Sequence, residues 1–335
     1  MRILILGGHG FIGSHISNIL RQQGHVVGVV DCYHQYHTFP DDEYSCVLAQ
    51  RQAHCGADEV YVGKIEDAEF LDRTFDTFNP NRVIHVATYP NAYMVKRNVV
   101  DATGNMITAT ALVLDACVKH LVDRIVFASS SMVYGNFLVP APDETAPTNP
   151  LTLYGSYKLQ GERMCKIWHK EHGLAYSILR PSALYGTRDM ITRVLSQLVR
   201  ARFTTGKMRV QGPENKLDFS NVLDVANAFA ICATDSQARN EIFNCTRGRG
   251  RPILEAAEMI QERIGGEIET LPHDEFYPNR DTLNSDKLQE YTHWRPTVDI
   301  EQGIPIPRLG TRTTLLKEDA TLPKLSSVFV EVKLL

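Results

Sequence analysis

Several common signatures are missing from this chain, and each absence narrows what it can be. No apolar run among its 335 residues reaches the roughly 18 needed to cross a bilayer, so no membrane role is expected. There is no surplus of positive charge: 35 Lys and Arg stand against 39 Asp and Glu, for a net charge of -4. A protein built to neutralise phosphate backbones would look different, so no nucleic-acid partner is expected. The seven cysteines are an odd number and include no Cys-x-x-Cys pair, which fits a reducing cytoplasm better than a disulfide framework. The opening MRILILGG has a short apolar run with no small-residue cleavage site behind it, and reads as a strand rather than a secretory signal. Internal repeats and low-complexity tracts are absent too. Metal ligands are present but scattered. His34, His37, Cys46, His54 and Cys55 lie in one polar stretch, yet no second ligand pair completes a compact site, so no metal is expected.

What remains is ordinary globular composition, 43% hydrophobic and 22% charged, enough for one large core or two smaller ones. Continuous apolar strands alternate with helical patterns as far as residue 181. RILIL, HVVGVVD, EVYVGK, RVIHVATY, DRIVFASSS and AYSILRP read as six strands. Residues 33–58 read as a long polar connection. This alternation predicts an α/β fold of the Rossmann type, a doubly wound parallel sheet with helices on both faces. Beyond 181 the rhythm loosens. Residues 182–305 predict a smaller mixed α/β lobe, with some later segments returning to the first domain, and 306–335 form a tail that is either a strand or a disordered end.

The first turn, Gly7-Gly8-His9-Gly10-Phe11-Ile12-Gly13, places Gly7, Gly10 and Gly13 at G-x-x-G-x-x-G spacing between strand and helix. Glycine lets backbone approach a pyrophosphate, and the helix N-terminus offers free N–H groups and the positive end of its dipole. Asp31 ends the second strand, where a carboxylate accepts from ribose hydroxyls and repels a 2′-phosphate. The expected cofactor is therefore NAD rather than NADP.

Ligands of doubly wound sheets gather at the carboxyl ends of the strands. Ser129, Ser130 and Ser131, after the fifth strand, should therefore lie on the edge that carries the glycine turn. Tyr154 and Lys158 stand four apart at the start of a helical pattern, so they share one face. If that helix flanks the same edge, a hydroxyl, a phenol and an ammonium converge. A free tyrosine titrates near about pH 10. Lys158 and a positive nicotinamide ring would favour the phenolate, which could take a substrate hydroxyl proton while NAD⁺ oxidises the same carbon. A serine hydroxyl would orient the reacting oxygen.

These pieces occur in a recognisable order: GGHGFIG, Asp31, VIHVAT, Asn105, SSSMVYG, YGSYK, RPSALYG, LDFSNVLDVANA and HWRPTVDIEQGI. Over residues 1–305 the chain resembles the extended short-chain dehydrogenase/reductase superfamily, and within it the NAD-dependent nucleotide-sugar epimerases and dehydratases. The resemblance implies Tyr154, Lys158 and Ser130 as catalytic. It implies Gly7, Gly10, Phe11, Ile12, Gly13, Asp31, Ile65, Ala87, Thr88, Asn105 and Pro181, with Tyr154 and Lys158, as the cofactor site. It further implies a nucleotide-sugar substrate in the C-terminal lobe and a homodimer built through helices near 103–120 and 152–172.

The departures from the family pattern are informative. Dehydratases of this family carry Asp-Glu, and uronic-acid decarboxylases a Glu, where this chain has Ser131 and Met132. Without that acid, epimerisation at C4 through a 4-keto intermediate fits better than loss of water. Ala183 and Leu217 replace an Asn and an Arg that commonly grip the diphosphate, and Lys64 replaces an Asp near the adenine, with Glu66 two positions on. Arg188, Arg193, Lys216 and Arg280 are candidate replacements on the substrate side, alongside Ser130, Ser131 and Tyr154. Two other readings stay open: a dehydratase or reductase of the same fold, which would release NADH on turnover, and a non-catalytic nucleotide-binding protein, which would have no need of the Ser130, Tyr154 and Lys158 set.

Overall fold

Strands β1 (Arg2–Leu6), β2 (Val26–Asp31), β3 (Glu59–Val62), β4 (Arg82–His85), β5 (Arg124–Ala128) and β6 (Ala175–Pro181) arise where short runs rich in Val and Ile meet turn residues. A computed structural model of the chain describes residues 1–36, 40–189 and 193–304. It adds β7 (Ala183–Tyr185), β8 (Lys207–Gln211), β9 (Lys216–Asn221), β10 (Glu241–Cys245), β11 (Gly250–Pro252) and β12 (Glu267–Leu271). The expected tail 306–335 and His37 lie outside the described residues.

Seven strands form one sheet in the order β10-β6-β5-β4-β1-β2-β3, and every pair in it is parallel. Side chains of a strand alternate between faces, and β1 shows the consequence directly. Ile3 and Ile5 pack in one core with Phe11, Ile16 and Leu20 from the helix Phe11–Gln22 and Phe229 from Val222–Thr234. Leu4 and Leu6 point the other way, into a core with Phe75 of Ala68–Phe78, Val113 of Ala109–Lys119 and Met164 of Leu153–His172. The sheet thus reads as near-continuous hydrophobic runs because both of its faces are covered.

The stretch EIFNC, which lies within residues 182–305, is β10, and it pairs with β6 as the edge strand of the large sheet. One expectation is corrected: the long polar connection at 33–58 contains a helix, Asp41–Cys55. Its acidic first turn, Asp41, Asp42 and Glu43, complements the helix dipole, and Gly56 ends it in the left-handed region at φ +53°. Among the described residues no three potential ligand side chains gather as a metal site, and no helix is long and apolar enough to cross a membrane.

The smaller sheets, β11-β9-β7 and β12-β8, share a separate core in which Leu198, Val210, Phe219 and Ile260 meet. β7 follows β6 after a single residue, Ser182. The chain therefore passes from the large sheet into the second layer beside the carboxyl edge, and the cleft between them opens there.

Candidate active site

The cleft holds about 1290 Å³, more than the roughly 300–1,000 Å³ usual for one small-molecule site, so two ligands can lie side by side. Its floor begins at the glycine turn. Gly7 sits at φ +85°, where a Cβ would come within 2.8 Å of the Ala87 backbone nitrogen, and a Cβ on Gly13 would lie 2.2 Å from the Gly7 carbonyl oxygen. Glycine is thus required for the turn to close against its neighbours. The helix that follows has no side-chain cap at Gly10, leaving its first N–H groups for an anion.

Asp31 faces this turn. Its Oδ2 accepts from the His9 backbone N–H at 3.0 Å and its Oδ1 from that of Tyr33 at 2.9 Å. Each carboxylate oxygen keeps a further lone pair for a ribose hydroxyl. Ile65, Ala87, Thr88, Asn105 and Pro181 also line the cleft. Thr88 Oγ1 and Asn105 Oδ1 are buried with no hydrogen-bond partner, an arrangement that costs free energy unless a ligand supplies one. Asn105 sits in a π-helical turn, Gly104–Thr108, and donates to Glu66 at 3.0 Å. The residues present therefore fit a dinucleotide on three counts: a cradle a Cβ would fill, an uncapped helix N-terminus and orphaned buried polar atoms.

The second half of the cleft is built on the helix Leu153–His172, whose N-cap Thr152 accepts from the Gly155 N–H. Its first two turns carry Tyr154 and Lys158 to the cleft, beside Ser129 and Ser130 at the end of β5. Ser130 hydrogen-bonds the Tyr154 hydroxyl and accepts from the Met132 N–H at 3.2 Å. Burial pushes the Tyr154 phenol above its ordinary range, opposed first by the Arg193 charge, then by the Ser130 hydrogen bond, then by Arg280. Sequence spacing assigns Lys158 the role of favouring the phenolate. Here its ammonium donates to the Ala128 carbonyl at 2.7 Å and stands 5.7 Å from the Tyr154 ring centre, and burial lowers its pKa to about 7. Arg193 and Arg280 add positive charge that bears on the phenol.

The substrate-side candidates divide. Arg193, Lys216 and Arg280 line the cleft. The Arg193 guanidinium lies 5.1 Å over the Phe11 ring, at the first residue of the glycine-turn helix. Lys216 Nζ is 3.3 Å from Asp281 Oδ2 on an exposed edge. Arg280 donates to Ser131 Oγ at 3.1 Å. Ser131 is fully buried behind the cleft wall and donates to Ser182 Oγ at 3.4 Å, so it supports Arg280 rather than the cleft directly. Arg188 is not brought to the cleft; its charge bears on His15 and His54, and its carbonyl accepts from Arg51 at 2.7 and 3.0 Å. Sequence reasoning missed Arg51, Tyr33, Tyr36 and Tyr277, all on the lining. Arg51 and the two first tyrosines come from the stretch that reads as a polar connection.

Comparison with known proteins agrees with this geometry. The family model described as NAD dependent epimerase/dehydratase family matches residues 3–246. A UDP-glucose 4-epimerase of Halalkalibacterium halodurans is 26% identical over 317 residues, covering 88% of this chain and 91% of that protein. Among solved structures, the Thermus thermophilus UDP-glucose 4-epimerase in complex with NAD superposes with a TM-score of 0.79 at 25% identity, covering 91% of this chain and 96% of that one. The Thermotoga maritima UDP-glucose 4-epimerase with UDP-glucose does so with a TM-score of 0.79 at 27% identity over the same shares of the two chains. A glycine turn that only glycine can close, a Tyr and Lys one helical turn apart, and a family match across the whole large sheet lead to one conclusion: the chain belongs to the NAD-dependent epimerase/dehydratase family.

Proposed function

We propose that this protein inverts a nucleotide-activated hexose at C4. The observation that carries the reading is the Ser130–Tyr154 hydrogen bond at the cleft, with Met132 where an eliminating enzyme needs an acid. NAD, when bound across the glycine turn, supplies the reversible oxidation of the sugar carbon. The chain's own residues do the rest. Gly7, Gly10 and Gly13 admit the pyrophosphate, and Asp31 accepts from the adenosine ribose. Tyr154, as phenolate, takes the C4 hydroxyl proton and later returns it to the same oxygen. Ser130 holds that oxygen in line, and Arg193 and Arg280 favour the charged phenol. Met132, buried in the wall beside them, offers no proton to a leaving hydroxyl, so the sugar keeps its substituents while its ring turns over.

The lobe at residues 182–304 is the part that grips the nucleotide sugar, with Arg193 on the diphosphate, a task that neither Ala183 nor Leu217 has the polar groups to perform. A homodimer is the assembly that exposed apolar side chains favour, Val100, Leu153 and Ile167, on the helices Val99–Thr103 and Leu153–His172; light scattering should report twice the chain mass. A cytoplasmic setting is favoured by seven cysteines that are all free thiols. Proton NMR of the protein with a panel of nucleotide sugars tests the main reading. Inversion at C4 with no net NADH is expected. Loss of water, or stoichiometric NADH, would replace it with the dehydratase or reductase reading.

A further inference from the structure

The helix Asp41–Cys55 is fixed at its two ends to different lobes. Its last residues are held by the glycine-turn helix Phe11–Gln22. Ser17 Oγ donates to the Cys55 carbonyl at 2.9 Å, Asn18 Nδ2 donates to the His54 carbonyl at 2.9 Å, and the His15 and His54 rings hydrogen-bond at 3.0 Å. Its first turn reaches the other way. Glu43 forms a two-point ion pair with Arg200, one arm of it at 3.2 Å. Arg200 belongs to the helix Val194–Thr204, whose Leu195, Leu198 and Val199 lie in the core of the second lobe. The Glu43 side chain is only 3% exposed. A buried ion pair gains little net stability over apolar side chains of the same volume, so stability alone does not account for it.

Between those two ends the helix faces the cleft. Tyr44, Leu48 and Arg51, spaced at i, i+4 and i+7, share one face and line it. Tyr44 donates to the Tyr33 carbonyl at 2.7 Å, and Tyr33 in turn donates its N–H to Asp31. The Arg51 guanidinium feels the Asp31 carboxylate and lies 6.0 Å from the centre of the Phe11 ring, at the first residue of the glycine-turn helix. This face therefore covers the ribose and pyrophosphate side of the NAD site. The helix Val194–Thr204 supplies a wall on the substrate side, where Arg193 at its N-cap, Leu195 and Leu198 line the same cleft.

Resting on the reading that places a nucleotide sugar beside Arg193, we propose that the Glu43–Arg200 pair couples the two halves of the cleft. It holds the outer wall of the cofactor site to the helix that carries Arg193, so NAD leaves only when the lobes part at this pair. A nucleotide that draws Val194–Thr204 onto the cleft slows that parting. Glu43 and Arg200 are positioning residues, since neither lines the cleft. Coupling of this kind usually amounts to roughly 5–150-fold.

The NAD-loaded, full-length protein is challenged with an excess of isotopically labelled NAD, with and without UDP, and exchange is followed by mass spectrometry of the retained cofactor. UDP should slow exchange in wild type by on the order of tenfold. Glu43→Gln should speed exchange without UDP by on the order of tenfold, and should cut the effect of UDP to within about twofold. Arg200→Gln, which leaves the acidic first turn intact, should do the same, and Glu43→Asp should keep part of the effect. Arg251→Met is the control for lost stability. It breaks another pairing of the second lobe, with Glu255 and Glu301, so its urea midpoint should fall while UDP slows exchange as in wild type. An effect of UDP that survives in Glu43→Gln and Arg200→Gln, or that vanishes equally in Arg251→Met, overturns the proposal. So does a wild-type exchange rate unmoved by UDP that calorimetry shows to be bound. If UDP does not bind, the nucleotide-sugar reading fails for uridine, and the proposal is decided by whether Glu43→Gln and Arg200→Gln exchange NAD faster than wild type.

Discussion

Arg180→Met should unfold this protein more readily than almost any other single change, because of what the arginine leaves behind. Arg180 donates to Glu162 through Nε at 2.8 Å and Nη2 at 2.7 Å, with side chains only 4% and 2% exposed. Its Nη1 donates to the Tyr134 hydroxyl at 2.7 Å, which donates onward to Asn244 Oδ1 at 2.8 Å. Ser129 adds a hydrogen bond to the same carboxylate. The pair thus pins the helix that carries Tyr154 to β6, and through Ser129 to the end of β5. Methionine fills much of the arginine's volume, so little cavity results. The loss comes from a buried carboxylate left with one hydroxyl donor, which costs about 3–5 kcal/mol. Urea unfolding followed by fluorescence should show the midpoint falling accordingly at unchanged slope. The double variant Glu162→Leu with Arg180→Met removes the stranded charge and should recover most of the loss, since replacing a buried pair with apolar side chains is often nearly neutral. A single variant costing under about 1 kcal/mol, or a double variant no better than the single, would refute this reasoning.

Other expectations concern the cleft. Lys158 has a pKa lowered by burial to about 7, so between pH 7 and its ordinary value the unfolded chain holds a proton that the folded chain lacks. Stability should therefore rise with pH from 7 to 9, and urea midpoints for Lys158→Met should lose that slope. Gly13→Ala would set a Cβ 2.2 Å from the Gly7 carbonyl oxygen, so the purified variant should come without bound NAD, as its absorbance ratio at 260 and 280 nm will show. Ser130 helps hold the Tyr154 phenol down against burial. In Ser130→Ala the rising limb of kcat/KM with pH should move to higher pH, on top of an overall loss of roughly a hundredfold.

Much of this was legible in the sequence where one residue type has one physical job. Gly7, Gly10 and Gly13 stand at a turn that no side chain fits, and Tyr154 with Lys158 needs only the helical repeat to share a face. The strands of the large sheet showed themselves because burial on both sides demands unbroken apolar runs. The helix Asp41–Cys55 did not. Its buried residues are Glu43, Val47, Arg51 and Cys55, spaced every fourth position with two charged members, so a search for apolar periodicity passes over it. Arg51 is buried because its guanidinium hydrogen-bonds the Arg188 carbonyl, a partner 137 positions away that no local pattern reveals. The acidic start and the closing Gly56 were the available signals. β10 was visible as a strand, but its place beside β6 depends on Val222–Thr234 packing across the large sheet. The bearing of Arg193 and Arg280 on the Tyr154 phenol is likewise set by tertiary placement.

The most direct test is Tyr154→Phe, which keeps the ring and removes only the hydroxyl. The account predicts that this variant retains NAD and folds normally, while its rate of C4 inversion falls by on the order of a thousandfold. Inversion within tenfold of wild type would show that another group takes the proton, and would contradict the role assigned to Tyr154.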